Sequence, residues 1–159
     1  MKLLTVLLAA LLATTTTMIA QHAGMPAGMS HDEHLKQMEK DAADHHFILE
    51  KGGGSIQVTM KPAADPVVLS EVRGHLKTIA EEFARGDFGK PFQTHDEVPT
   101  GVNEMKKAGG AISYRYEDVT NGGAVRISTT DAKALKAVHD FLRYQIAEHR
   151  TGDPLAPKK

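Results

Sequence analysis

The chain has 159 residues, with 19 basic against 20 acidic side chains, nine histidines and no cysteine. That length suits one domain, and scattered basic residues at near-neutral charge argue against a nucleic acid or other polyanion as partner. Without cysteine there is no lipidated cysteine, covalent haem, thiolate zinc site, cysteine-ligated iron–sulfur cluster or disulfide, which leaves His, Met, Asp and Glu as the side-chain metal ligands.

Residues 1–20 read as a secretory signal peptide. Met1 and Lys2 supply the positive start, Leu3 to Ala13 the apolar run and "TTTTMIA" a small-residue exit ending near Ala20. Cleavage after Ala20 is expected, with Ala23 as the second choice. An apolar run of about eleven residues is short for a bilayer span, so no stable membrane insertion is expected after cleavage. A cysteine-free exported protein of this size must rest on its core, and the bacterial periplasm is the expected compartment. Loss of Lys2 leaves 18 basic and 20 acidic residues, a small net negative charge.

Residues 21–43 read as a flexible arm, polar and holding His22, Met25, Met29, His31, His34 and Met38. A single domain follows over 44–155. Its first ββα unit, 44–88, begins with "HHFILE" and "SIQVTMK" around "KGGG". The alternation puts Phe47, Leu49, Ile56, Val58 and Met60 on one side of a hairpin. Asp65 and Pro66 then open an amphipathic helix with Leu69, Val72, Leu76, Ile79 and Phe83 on its stripe, stopped by Gly86. A long connection, 89–110, contains two prolines and a short helix around Val102 to Lys107. The second unit, 111–155, repeats the order. "AISYRYEDV" and "AVRISTT" flank "NGG", and Asp131 caps a helix with Leu135, Val138, Leu142 and Ile146 on one face. An offset of 66 superposes the two helices and aligns Gly86 with Gly152. The expectation is an α+β domain, a pseudo-two-fold ββα-ββα repeat with a four-stranded antiparallel sheet and two helices on one face.

The motifs "HHF", "PTGVNEMKK", "GGAVRIST" and "HDFLRYQIAEHRTGDP" resemble a family of small uncharacterised secreted bacterial proteins, over about residues 45–155. Such proteins are sometimes labelled aspartate carbamoyltransferase. This chain is far too short for that enzyme and has no Ser-Thr-Arg-Thr phosphate loop. The resemblance implies one export-associated domain and carries no catalytic residues with it.

Imidazole and thioether groups at spacings of two to four in the arm suit Cu(I), with imidazole also serving Cu(II). Within the domain, period two places His45 on the helix-facing side of its strand and His46 on the other. His75 and His139 lie near the middle of the two helices and could meet, with His45 as a third imidazole. The competing reading has each histidine bonded to a backbone carbonyl or carboxylate. His95 and Asp96 in "QTHDEVP" offer a further ligand contact or a plain solvated turn. His149 and Arg150 read as cations suited to a helix C-terminus. No nucleophile elbow, phosphate loop or zinc-protease helix occurs, so catalysis has no positive signal.

The leading expectation is a non-catalytic periplasmic metal-binding protein, copper first because of the methionines and zinc as the alternative. The runner-up is a protein- or small-molecule-binding module using the outer sheet face, with Gln57, Thr59, Arg115, Glu117, Arg126 and Ser128. A hydrolase with a histidine-centred site comes third. An exposed sheet edge leaves room for a homodimer.

Overall fold

A computed structural model describes residues 43–61, 65–90 and 97–157. Strands β1 (Ala43–Glu50) and β2 (Gly53–Met60) form one antiparallel hairpin, and β3 (Ile112–Val119) and β4 (Gly122–Thr129) form the other. β2 and β4 pair antiparallel in the middle, giving the order β1-β2-β4-β3. Successive side chains alternate between faces, so one row runs across all four strands through the partners Phe47, Ile56, Val125 and Tyr116. Phe47, Leu49, Ile56, Val58, Met60, Val125 and Ile127 are all buried on that inner face. Each such side chain contributes about 1.5–3 kcal/mol by leaving water.

Helix α1 spans Pro66–Ala84, with Asp65 accepting from the Val67 N–H at 2.8 Å and proline at the first helical position. The last helix, α3 (Ala132–His149), follows the same plan, with Asp131 accepting from the Ala134 N–H at 2.8 Å. The starts lie 66 residues apart, and each helix is followed by a glycine in the left-handed region, Gly86 at φ 76° and Gly152 at φ 75°. The expected α+β class and four-stranded sheet are thus present. Between the units, α2 (Val102–Ala108) and a 3₁₀ turn (Gly109–Ala111) have no counterpart in the first half among the described residues, so the repeat is approximate.

Each helix covers the hairpin of the other unit. α1 packs over β3 and β4, and α3 packs over β1 and β2. β2 and β4 both end in the middle of the sheet, and each helix steps from there onto the neighbouring hairpin. The expected stripe of α1 holds: Val72, Leu76 and Phe83 are buried, and Leu69 and Ile79 pack against the core from its edge. On α3 the buried face is wider than its expected stripe and includes Ala134, Ala137, Phe141 and Gln145. The reason is a second neighbour, α2. A Cβ on Gly101, just before α2, would stand 2.3 Å from the Ala137 carbonyl oxygen, so the chain enters α2 directly against the backbone of α3. Phe83 joins the layers, stacking on Phe88 at 4.4 Å and meeting Phe141 edge-on at 6.0 Å. No helix among the described residues is long and apolar enough to cross a membrane.

Candidate functional site

β1 presents two consecutive histidines to opposite sides of the sheet. His45 faces α3, where its ring stacks on His149 with centroids 5.8 Å apart and planes inclined by 21°. Phe47, next on the same face, meets the His149 ring at 5.1 Å. Burial, with a lesser contribution from His46, lowers the His45 pKa, against an opposing pull from Asp44. The imidazole therefore keeps its lone pair to lower pH than an exposed histidine.

His139 sits elsewhere. Its Nε2 lies 2.9 Å from the Glu50 carbonyl oxygen and 3.0 Å from that of Gly53, tying α3 to the turn between β1 and β2. This matches the carbonyl-bound reading of that residue. The chain of α3 runs antiparallel to β1, with His139 beside the end of the strand and His149 beside its start. Ten helical residues separate those two points by about 15 Å, so His45 and His139 are not neighbours. His75 is half-buried on α1, the helix over β3 and β4, whereas β1 lies at the opposite edge of the sheet. The expected meeting of His75, His139 and His45 thus gives way to one imidazole pair, His45 with His149. Among the described residues no group of three or more His, Cys, Asp or Glu is placed to hold a metal ion.

The sequence reading assigned His149 to the helix dipole and missed this contact. A length match carried the signal. The ten helical residues from His139 to His149 and the five extended residues from Glu50 back to His45 both span about 15–17 Å, so an antiparallel helix anchored by His139 at the end of β1 brings His149 beside His45.

On the outer face, His46 Nδ1 lies 3.0 Å from Asp153 Oδ1. Gly152 turns the chain after α3 and sends the tail along the free edge of β1. There Asp153 Oδ2 accepts from the Phe47 N–H at 2.8 Å and from the Thr151 hydroxyl at 2.6 Å. Arg143 Nε, donating to the Leu155 carbonyl at 3.0 Å, holds the tail from the helix side. Burial pushes the Asp153 carboxyl upward, but the hydrogen bonds from Thr151, Phe47 and His46 outweigh it and hold the group below the usual carboxylate range. An ionised carboxylate only accepts, so His46 donates from Nδ1. The ring, Asp153, Ile48, Gln57, Pro154 and Ala156 border a cleft of about 260 Å³. The sequence reading took Gly152 and Pro154 as a stop signal and overlooked Asp153 as a functional group.

Farther across the same face, Arg126 donates to Glu117 at 2.6 Å, to Glu50 at 2.9 Å and to the buried Ser55 hydroxyl at 3.3 Å. Gln57, Thr59, Arg115, Glu117, Arg126 and Ser128 share this face, as the alternation requires.

No protein-family model, curated protein or solved structure matches the chain. The resemblance noted above therefore rests on its motifs alone. Residues 1–20, read as a signal peptide, the arm residues His22, Met25, Met29, His31 and His34, and the loop residues His95 and Asp96 lie outside the described residues.

Proposed function

We propose that this is a periplasmic metal-binding protein, with copper as the preferred ion and zinc as the alternative. The observation that carries the reading is the His45–His149 pair, two imidazoles from different elements brought within 5.8 Å. A His45 ring kept neutral by burial offers its lone pair without first losing a proton, which favours metal coordination at mildly acidic pH. In sequence, the segment with His22, Met25, Met29, His31 and His34 precedes His45, so soft thioether and imidazole donors belong to the same stretch of chain that leads into the pair. His46 and His139 are engaged with Asp153 and with backbone carbonyls, and serve the fold on this reading.

The test is titration of the tag-free chain with Cu(I) against a competing chelator, with Cu(II) and Zn(II) in parallel. His45→Ala and His149→Ala should each weaken binding by about tenfold or more, the worth of roughly 1.4 kcal/mol. Removing residues 21–42 should weaken Cu(I) binding while leaving the thermal transition of the metal-free domain unchanged. If the full chain takes up neither copper nor zinc, the proposal is wrong.

A further inference from the structure

The two outer strands of the sheet end differently. β1 has its free side held by the C-terminal tail, where Asp153 takes the Phe47 N–H. β3 forms the opposite edge, and its side chains stay open. Of its residues only Ile112 is buried, while Ser113, Arg115 and Asp118 are exposed and the rest half-buried. None of the devices that blunt an edge interrupts it. Ile112–Val119 contains no proline, glycine or lysine, and it pairs one-to-one with β4 along its whole length without a bulge. Such a strand is a template for pairing with another chain, and among the described residues no strand lies beyond it.

The charges of β3 select its partner. Residues directly opposite in an antiparallel pair share a face, and a two-fold axis through the sheet carries each residue onto the same face of the copy. β3 therefore pairs with itself only in registers centred on one residue. Centring on Arg115 or on Glu117 sets that charge opposite its own copy, which opposes pairing. Centring on Tyr116, between them, sets Arg115 opposite the partner's Glu117 and Glu117 opposite the partner's Arg115, so one complementary pair appears twice. Both side chains lie on the outer face. Arg115 is exposed, and Glu117, 39% exposed, uses Oε1 for Arg126 and has a second oxygen for an incoming guanidinium. On the inner face the two half-buried Tyr116 rings meet at the axis. Helix spacing agrees. Strands lie about 4.8 Å apart and α1 packs over β3 and β4 alike, so it stands about 10 Å from its counterpart, an ordinary distance between packed helices.

We propose that β3 is a homodimer edge, along which two copies of this chain join antiparallel about Tyr116 into one continuous sheet with Arg115–Glu117 pairs on its outer face. This reading is independent of the imidazole pair, which lies at the other edge of the sheet.

The experiment is sedimentation velocity on the tag-free chain with a chelator present, over a series from about 1 to 100 μM. The expected result is a monomer–dimer equilibrium. Arg115→Glu sets like charges opposite each other on both sides of the axis and should raise the dissociation constant at least about tenfold, while its circular dichroism at the dilute end matches that of the unaltered chain. The register has its own probe. Because the chain has no cysteine, Ser113→Cys at an exposed position carries a single nitroxide. Centring on Tyr116 sets Ser113 opposite the partner's Val119, so the two labels sit the length of Ser113 to Val119 apart, about 20 Å. Dipolar spectroscopy on the spins should return that separation, and a centre displaced by one residue would change it by about 7 Å. A chain that stays monomeric at the highest concentration, a dimer that Arg115→Glu leaves intact, or a separation off by about 7 Å or more would overturn the proposal.

Discussion

Replacing Asp153 with alanine removes three hydrogen bonds from one carboxylate, and their surroundings set the cost. Phe47 is 3% exposed, so its N–H loses its acceptor where water has little access. An orphaned buried donor costs about 1–3 kcal/mol. The Thr151 hydroxyl can turn to solvent, and the His46 side chain is 43% exposed, so together these two bonds add only about 1 kcal/mol. Asp153→Ala should therefore destabilise the domain by roughly 2–4 kcal/mol, about 8–16 °C in Tm at roughly 4 °C per kcal/mol. The sign of the pH dependence follows from the depressed carboxyl. Its folded pKa lies below the unfolded 3.8, so the stabilisation is complete well above 3.8 and is lost as pH falls through the folded value. Urea denaturation followed by circular dichroism at pH 7 and at descending pH measures both effects. A second comparison, the double-mutant cycle with His46→Ala, should return a coupling of about 0.5–1 kcal/mol. A loss below about 0.5 kcal/mol at pH 7, or a gap from wild type that does not close as pH falls well below 3.8, would refute the tail as a clamp on β1.

The three tyrosines should all ionise late: burial and the Asp118 hydrogen bond push Tyr116 up to about 12, the Glu97 hydrogen bond and burial push Tyr144 up to about 12, and burial raises Tyr114 further. Absorbance at high pH should show almost no tyrosinate near pH 10 in the folded chain and ordinary ionisation in urea, with fold stability falling as pH climbs above 10. Tyr114→Phe should stabilise by about 1 kcal/mol, because the Tyr114 hydroxyl is buried with no hydrogen-bond partner among the described residues; a lower urea midpoint would contradict that. Gly101→Ala should cost more than about 2 kcal/mol, since φ is 90° and the added methyl would meet the Ala137 carbonyl, which the same denaturation assay would detect.

Local chemistry made much of this protein legible. Alternation in "HHFILE" and "SIQVTMK", the spacing of Val72, Leu76 and Phe83, the caps Asp65 and Asp131 and the glycines at 86 and 152 each act over a few residues, and each was readable for that reason. So was the divergence of His45 and His46, a direct consequence of strand geometry. Even the carbonyl-bound state of His139 was one of two readings already open. Phe141, Ala137 and Gln145 were harder, because their burial depends on elements arriving from other parts of the chain, such as α1 through Phe83 and α2 through Gly101.

Sequence alone therefore determined the elements, their order and the inward-facing residues, since these follow from backbone periodicity and local capping. Only the tertiary structure decided that α1 covers the β3–β4 hairpin and α3 the β1–β2 hairpin, because that choice depends on which apolar rows are jointly buried. Contacts at separations above one hundred residues, His45 with His149 and His46 with Asp153, then followed from the antiparallel run of α3 on β1 and the turn of the tail around its edge. No local pattern encodes such distances, and the candidate metal site lies at the first of those contacts.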